Sequence, residues 1–495
     1  MKSLRDVEKT RLDSYEDAQK NSTHRSSLLV PTIPNTQVSI SFLNHFLIKR
    51  NNPNVGLRLT AVDELGARIS TRLFPINEPR VYTFHLQRDF CTHATSYLVE
   101  FFSSSNMVIP FPAVMVNHRG PRSYSTVHSF NRVLNDIFED DEINTIQVEE
   151  GAIDIAQDPL TSTFFTVYAG QHRLQDEIGL RFKSNSMSLS TTLAVDIPRL
   201  THQIFTLGSV FPEIEHQQGV LLIRQPRQDM FYGRLLVGQT LPSGDLSANH
   251  SYYDGSQVAG EYWDDAQPSH RTYPIVDGLN TSIRIYPIQS ASTLGFTVLI
   301  KDASGSTLAT SKEFELVSPG NAWLDIDINQ LIASFDVQPH TARAFTLIAK
   351  PKTGNTPMRI NHQLVFSGSG LESSINVSMQ NFNILHSNDR PRTTWGQLIH
   401  SANYDTWLAF ANDGESSESS IVDVKFFSES GLEKTTQVSI NQGTSTQLLL
   451  SEVLGEAVGD DQFIWFEVES PNYFLTEWSV SKHKISGHCM GEHSF

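Results

Sequence analysis

Histidines at a repeated spacing are the part of this sequence that points most directly to chemistry. His118 lies ten residues before His128, and His483 lies ten before His493. In antiparallel hairpins turning near Gly120-Pro121 and Ser486-Gly487, the two rings of each pair would stand opposite one another, with Cβ atoms about 4.5–5.5 Å apart, a separation a metal ion can bridge. A carboxylate follows the first pair: Glu139 is eleven residues after His128, with Asp140 and Asp141 beside it. His118, His128 and Glu139 would form a His-His-carboxylate set suited to zinc, iron or manganese with positions left open for chemistry. His250 occupies the matching place in a second copy of the pattern, with Glu261 eleven residues on. The run His483, His488, Cys489, Glu492 and His493 offers still more donors. The competing role is structural, a histidine packed at a strand end in a domain junction. Calcium at the acidic runs FEDDE (138–142) and EYWDD (261–265) is a weaker option, since the DxDxDG loop is absent and solvated linkers belong in those places.

A second group suits a sugar. Tyr252, Tyr253, Asp254, Tyr262, Trp263 and Asp264 mix aromatic faces with carboxylates. Such a mixture can stack on the apolar C–H face of a pyranose and hydrogen-bond its hydroxyls. The same aromatics would serve equally to clamp neighbouring domains. Trp395, Tyr404 and Trp407 pose the same choice. No GxxxxGK[ST], HExxH or G-x-S-x-G motif occurs, and no GxGxxG follows a strand. Cys91 and Cys489 are almost 400 residues apart, so neither a CxxC motif nor a disulfide framework is available.

The elements that must position these groups are strands. VSISFL (38–43), TFFTVYAG (163–170), TSIRIYPI (281–288), GFTVLI (295–300) and VDVKFF (422–427) are short runs rich in Val, Ile, Thr and Phe that end at turn residues. Helical patterns are few and short, around Val133 to Glu142, Ile328 to Phe335 and Leu449 to Ala457. Four segments then share one order of events: a strand with a helix-like turn, a strongly apolar strand, and a closing hairpin. Counted from Val116, Val237, Val365 and Val480, residues His128, His250, Ser378 and His493 fall 12, 13, 13 and 13 positions later. Three of them precede Ser and an aromatic: Ser129-Phe130, Ser251-Tyr252 and Ser494-Phe495. The copies recur at intervals of 122, 128 and 115 residues, the size of one immunoglobulin-like sandwich.

The expected fold is therefore all-β, a tandem array of about four immunoglobulin-like or related antiparallel β-sandwiches with few short helices. Residues 1–34 are expected to be a polar, disordered tail, with sandwiches over 35–135, 136–258, 259–378 and 379–495. Net charge is −17, and no local basic patch offsets it, which argues against nucleic-acid and membrane-surface partners. Without a signal-peptide pattern or an apolar span, the expected location is cytoplasmic. Two functions follow. The first is a non-enzymatic binding or structural protein presenting loops and linkers to a glycan or protein partner. The second is a metal-binding protein or metal-dependent enzyme built on the paired histidines.

Overall fold

Alternating Val, Ile, Thr and Phe between turn residues gives strands, and their register decides which faces close on each other. The computed structural model describes residues 24–103, 113–128, 131–133, 150–156, 160–214, 218–229, 231–253, 268–285, 292–317, 323–357, 359–379, 392–413, 419–472 and 474–495. The chain is all-β, a tandem array of four antiparallel sandwiches.

The plan is plainest in the fourth sandwich. Its strands are Arg392–His400, Tyr404–Asn412, Ser420–Ser428, Gly431–Ile440, Ser445–Leu449, Gln462–Ser470, Leu475–His483 and Cys489–His493. One sheet takes them in the order first, sixth, third, fourth, and the other in the order fifth, second, seventh, eighth. The other three sandwiches repeat both orders, the third with an additional short strand, Phe314–Leu316, set against Leu294–Lys301 and not counted in the order. A short helical turn stands between the fifth and sixth strands each time: Leu86–Phe90, Leu207–Val210, Ile328–Ser334 and Leu450–Leu454. Asp327 starts the longest of these by accepting from the Gln330 N–H at 2.9 Å, so this exposed aspartate acts as a helix cap. The helix-like turn of the sequence repeat is thus a real and recurrent element. The stretch 134–142, where another helix is expected, lies outside the described residues.

One boundary differs from expectation. His24–Pro31 is a strand, paired antiparallel along its length with Ser96–Ser103, and it opens the first sandwich. Residues 24–31 therefore do not belong to the tail assigned to residues 1–34. The polar start HRSS hides this strand in the sequence, because only its second half, LLVP, reads as apolar. That first sheet also grows at its other side, where Asn131–Val133 pairs with the opening strand and Phe231–Gly233 pairs with Asn131–Val133. Residues from the second repeat thus extend a sheet of the first.

Two compact units divide the chain, Met1–Phe182 with Ser188–Tyr253 and Asp254–Phe495 with Lys183–Met187. In the second unit, Leu398, Phe410, Val424, Phe426, Ile464 and Phe466 form the interior of the fourth sandwich. Trp407, Ala409, Ala411, Trp478, Val480 and Cys489 face the other way and join the core of the third. Tyr404–Asn412 is buried almost throughout because both its faces are covered. Among the described residues no helix is long and apolar enough to cross a membrane.

Candidate functional site at the sandwich seams

Where one sandwich meets the next within a unit, the buried polar side chains gather. In the first unit the closing strands Tyr124–His128 and Leu246–His250 lie alongside each other. The Ser125 hydroxyl donates to the Ala248 carbonyl at 2.8 Å and accepts from its N–H at 3.0 Å, and Ser123 Oγ accepts from the Leu246 N–H at 2.8 Å. Asp245, fully buried, pairs with Arg122 at 3.4 Å. In the second unit the corresponding turns dock through backbone and imidazole: Cys489 N–H donates to Leu371 O, and Leu371 N–H to His488 Nδ1, both at 2.8 Å.

The register separates the histidine pairs. His118 stands opposite Ser125, and His128 opposite Met115. The Gly120 N–H bonds to Ser123 O, so the turn is centred on Pro121-Arg122, short of the centre at Ser123 that would set His118 opposite His128, and the two rings do not face each other. In the last hairpin His493 stands opposite Trp478, and the His483 N–H donates to His488 O at 2.9 Å. The expected pairing of His118 with His128, and of His483 with His493, is therefore overturned by turn length, which sequence spacing does not reveal.

Each histidine has a local task instead. His118 Nε2 donates to Pro31 O at 3.1 Å, and its full burial holds its pKa near 4. His483 Nδ1 accepts from the N–H and hydroxyl of Ser486, tying the hairpin turn. His250 Nδ1 donates to Ser251 O and His493 Nδ1 to Ser494 O, each at 2.7 Å. In both copies the serine that follows is also fixed: Ser251 N–H donates to Leu235 O and Ser494 N–H to Glu477 O. The recurrent His-Ser-aromatic run is thus a strand-end clamp. Phe495 completes it in the fourth sandwich by exchanging backbone hydrogen bonds with Trp395 and setting its ring edge-on to Trp465. Glu492 is buried and accepts from the His493 N–H at 2.9 Å.

The structure does bring two repeat-equivalent rings together. His128 and His250 lie with centroids 4.7 Å apart in a T-shaped contact inside the first unit. Tyr252 and Tyr253 form a short strand against Gly151 and Glu150. Glu139, Asp254, Tyr262, Trp263 and Asp264 lie outside the described residues. Of the other aromatics, Trp407 is buried in the seam and Tyr404 stacks edge-on against His483.

Two buried groups and a half-buried histidine have no counterpart among the residues singled out from the sequence. His202 Nε2 donates to Thr32 O at 2.8 Å, beside His118, and burial lowers its pKa to about 4. His362 is buried in the second unit between Tyr273, whose hydroxyl bonds its Nε2, and Ile360 O at 2.9 Å; burial takes its pKa to about 3. Glu477 is buried and accepts from Thr394 Oγ1 at 2.9 Å and Ser494 Oγ at 2.6 Å, and burial raises its pKa. No repeat offset marks these residues. The one signal available was a charged or imidazole residue inside an otherwise apolar strand, as in INHQLVFS and LTEWSVSKH.

No protein-family model matches the chain, and no curated protein is similar to it in sequence. Solved structures that align with it include a biofilm-associated protein BSP domain, at 8% identity over 97% of this chain and 93% of that one, with a TM-score of 0.17. Another is a tetra-tandem repeat in the extending region of a large adhesion protein, at 10% identity over 94% and 97%, with a TM-score of 0.10. Superpositions this poor carry no argument, and the fold stands on the strand topology.

A cleft of about 410 Å³ opens in the second unit, lined in part by Asn280, Ser367, Ser369, Lys482, His483 and Lys484. Lys482 Nζ donates to Gly278 O at 3.2 Å, and Lys484 Nζ donates to Ala402 O at 3.0 Å and pairs with Asp405 at 3.7 Å. Serine hydroxyls, an amide and two lysines line it.

Proposed function

We propose that this chain is a non-enzymatic binding and structural protein, whose docked sandwiches present seams and loops to a glycan or protein partner. One observation carries the proposal: the histidines and carboxylates of the seams are engaged in holding backbone and neighbouring strands, as His118, His202, His488 and Asp245 do. Groups so engaged rigidify an array. The cleft at Lys482 and Lys484 supports a small saccharide bearing a carboxylate, because its polar lining offers directional partners and Lys482 has no carboxylate partner among the described residues, while Lys484 is paired with Asp405. Saturation-transfer NMR of the full chain with glucuronic acid and with glucose tests this. Binding of glucuronic acid that Lys482→Gln/Lys484→Gln abolishes is the expected result. Saturation transfer from neither sugar would remove the glycan assignment from the cleft.

A metal-binding reading keeps a supporting observation inside the first unit, the His128–His250 contact. Two imidazoles are half of the donor set that zinc requires. Elemental mass spectrometry on untagged protein checks it: near-stoichiometric zinc, lost in His128→Ala/His250→Ala, would favour it, and no bound metal would return both rings to packing.

A further inference from the structure

Charge is distributed unevenly along the chain. Residues 24–133 contain 11 Lys and Arg against 5 Asp and Glu, a balance of +6, whereas residues 134–495 contain 21 against 44, a balance of −23. The whole-chain value of −17 conceals a basic first sandwich, and the absence of a local basic patch expected from composition is corrected accordingly. Ten of those eleven cations are arginines.

Most of this sandwich's acids are already committed. Glu100 holds Arg58 in a two-point bridge at 2.6 and 2.8 Å, Glu78 pairs with Arg80 at 2.9 Å, and Asp89 with Arg88 at 2.6 Å. Asp63 accepts from the N–H groups of Leu65 and Ala67 within its own turn. Among the described residues no carboxylate pairs with Arg68 or Arg72. Arg72 donates only to the Asp89 carbonyl, at 3.1 Å, with its guanidinium over the Phe90 ring. Both arginines are exposed.

They sit on Arg68–Ile76, a nine-residue strand at the end of its sheet, paired on one side with Val55–Val62. A strand in that position leaves a row of backbone donors and acceptors open to another chain. Positive charge alone would guard such an edge. Here it is accompanied by exposed aliphatics, Leu73 at 72% and Ile69 at 46% on the strand and Leu65 at 77% in the turn before it, and these work against a guard. The corresponding strands elsewhere lack the combination: Ser188–Ile197 has only Asp196, Thr307–Thr310 no charge, and Gly431–Ile440 one Glu and one Lys.

We propose that the open edge Arg68–Ile76 is a docking strand for an extended acidic segment of a partner protein. The segment would add to the sheet through its backbone, set carboxylates against Arg68 and Arg72, and cover Leu73 and Ile69 with apolar side chains. Backbone pairing and aliphatic contact favour a peptide over a polysaccharide or a nucleic acid, which would use the arginines alone. This rests on the binding role proposed above but uses a surface separate from the saccharide cleft, so loss of one leaves the other measurable.

The test uses the full chain and a fluorescent peptide of about ten residues alternating Glu and Val, long enough to span the edge. Binding is followed by anisotropy at about 50 and 300 mM NaCl. The expected result is saturable binding, weakened about tenfold by Arg68→Ser/Arg72→Ser and about threefold by Leu73→Ser, and weaker at the higher salt. Lys312→Ser/Lys350→Ser, the same charge change on exposed lysines of the third sandwich, should leave affinity unchanged, and thermal melts should show every variant folded. Equal affinity in the arginine variant, or no binding by the parent, overturns the proposal. So does arginine-dependent binding of dextran sulfate or single-stranded DNA without binding of the peptide.

Discussion

A buried imidazole that gives its one N–H to a carbonyl is stable only while neutral, and this sets a pH signature. His118 and His202 titrate near 4 in the folded chain and at 6.5 when free of it, with desolvation the main cause. Between those values the unfolded chain binds the two protons and the folded chain does not. Stability therefore rises with pH and is lost as pH falls below 6.5, by about 3 kcal/mol for each ring at pH 4. Urea melts at steps from pH 7.5 down should show this loss, and His202→Gln, which keeps an N–H for Thr32 O, should remove one proton from the slope. Glu477 has the opposite sign. Its pKa is raised by burial, so the folded chain holds a proton longer and stability falls as pH rises. Glu477→Gln retains an acceptor for Thr394 and Ser494 and should stabilise the chain at pH 7 by about 1 kcal/mol, read from the same melts. The sequence shows that His128, His250 and His493 are equivalent because their spacing repeats. It does not show that His118 faces Ser125, because a hairpin's register is set by turn geometry, and a small change of turn exchanges every cross-strand partner.

Two turns dock the sandwiches in the same way in each unit. The turn at Gly66 receives Arg199, which donates from Nε to Gly66 O at 3.3 Å, and the turn at Gly305 lies under Gln442, with Thr444 donating to Asp302 O at 2.6 Å. Both glycines have positive φ, +80° and +86°, and an added Cβ would stand 2.6 Å from Arg199 O or 2.0 Å from Gln442 O. Gly66→Ala and Gly305→Ala should each cost about 2–3 kcal/mol, through the backbone conformation and the clash together. Each should lower the unfolding transition of its own unit, which calorimetry with two resolved transitions would show. These glycines are legible in the sequence only as turn residues, in DELGAR and DASGST. Their second role comes from a chain segment more than 130 residues away, and no local pattern encodes that. The repeated strands and the helical turns, by contrast, were readable because propensity and alternation agree over each of them, as in LDIDINQLIAS.

At the scale of the molecule, the unit of stability is the docked pair of sandwiches rather than the single one. The second strand of the fourth sandwich shows why: Leu408 and Phe410 fill its own interior, while Trp407, Ala409 and Ala411 enter the core of the third. Trp478 and Val480 on the seventh strand face the same way, and both are fully buried. Separated from its neighbour, the fourth sandwich would present two tryptophans, Val480 and Cys489 to water, at about 1.5–3 kcal/mol for each large side chain. A single sandwich of about 100 residues has a net stability of about 5–15 kcal/mol, so such exposure takes away much of it and leaves a sticky apolar face. Residues 254–495 produced alone should therefore unfold cooperatively, with Trp478 emission blue-shifted until the transition. Residues 392–495 alone should show red-shifted emission under native conditions and associate with rising concentration, as sedimentation would detect. A monomeric, blue-shifted 392–495 would mean that each sandwich carries its own stability, and the seam histidines would then be ornaments of an array rather than part of what holds it together.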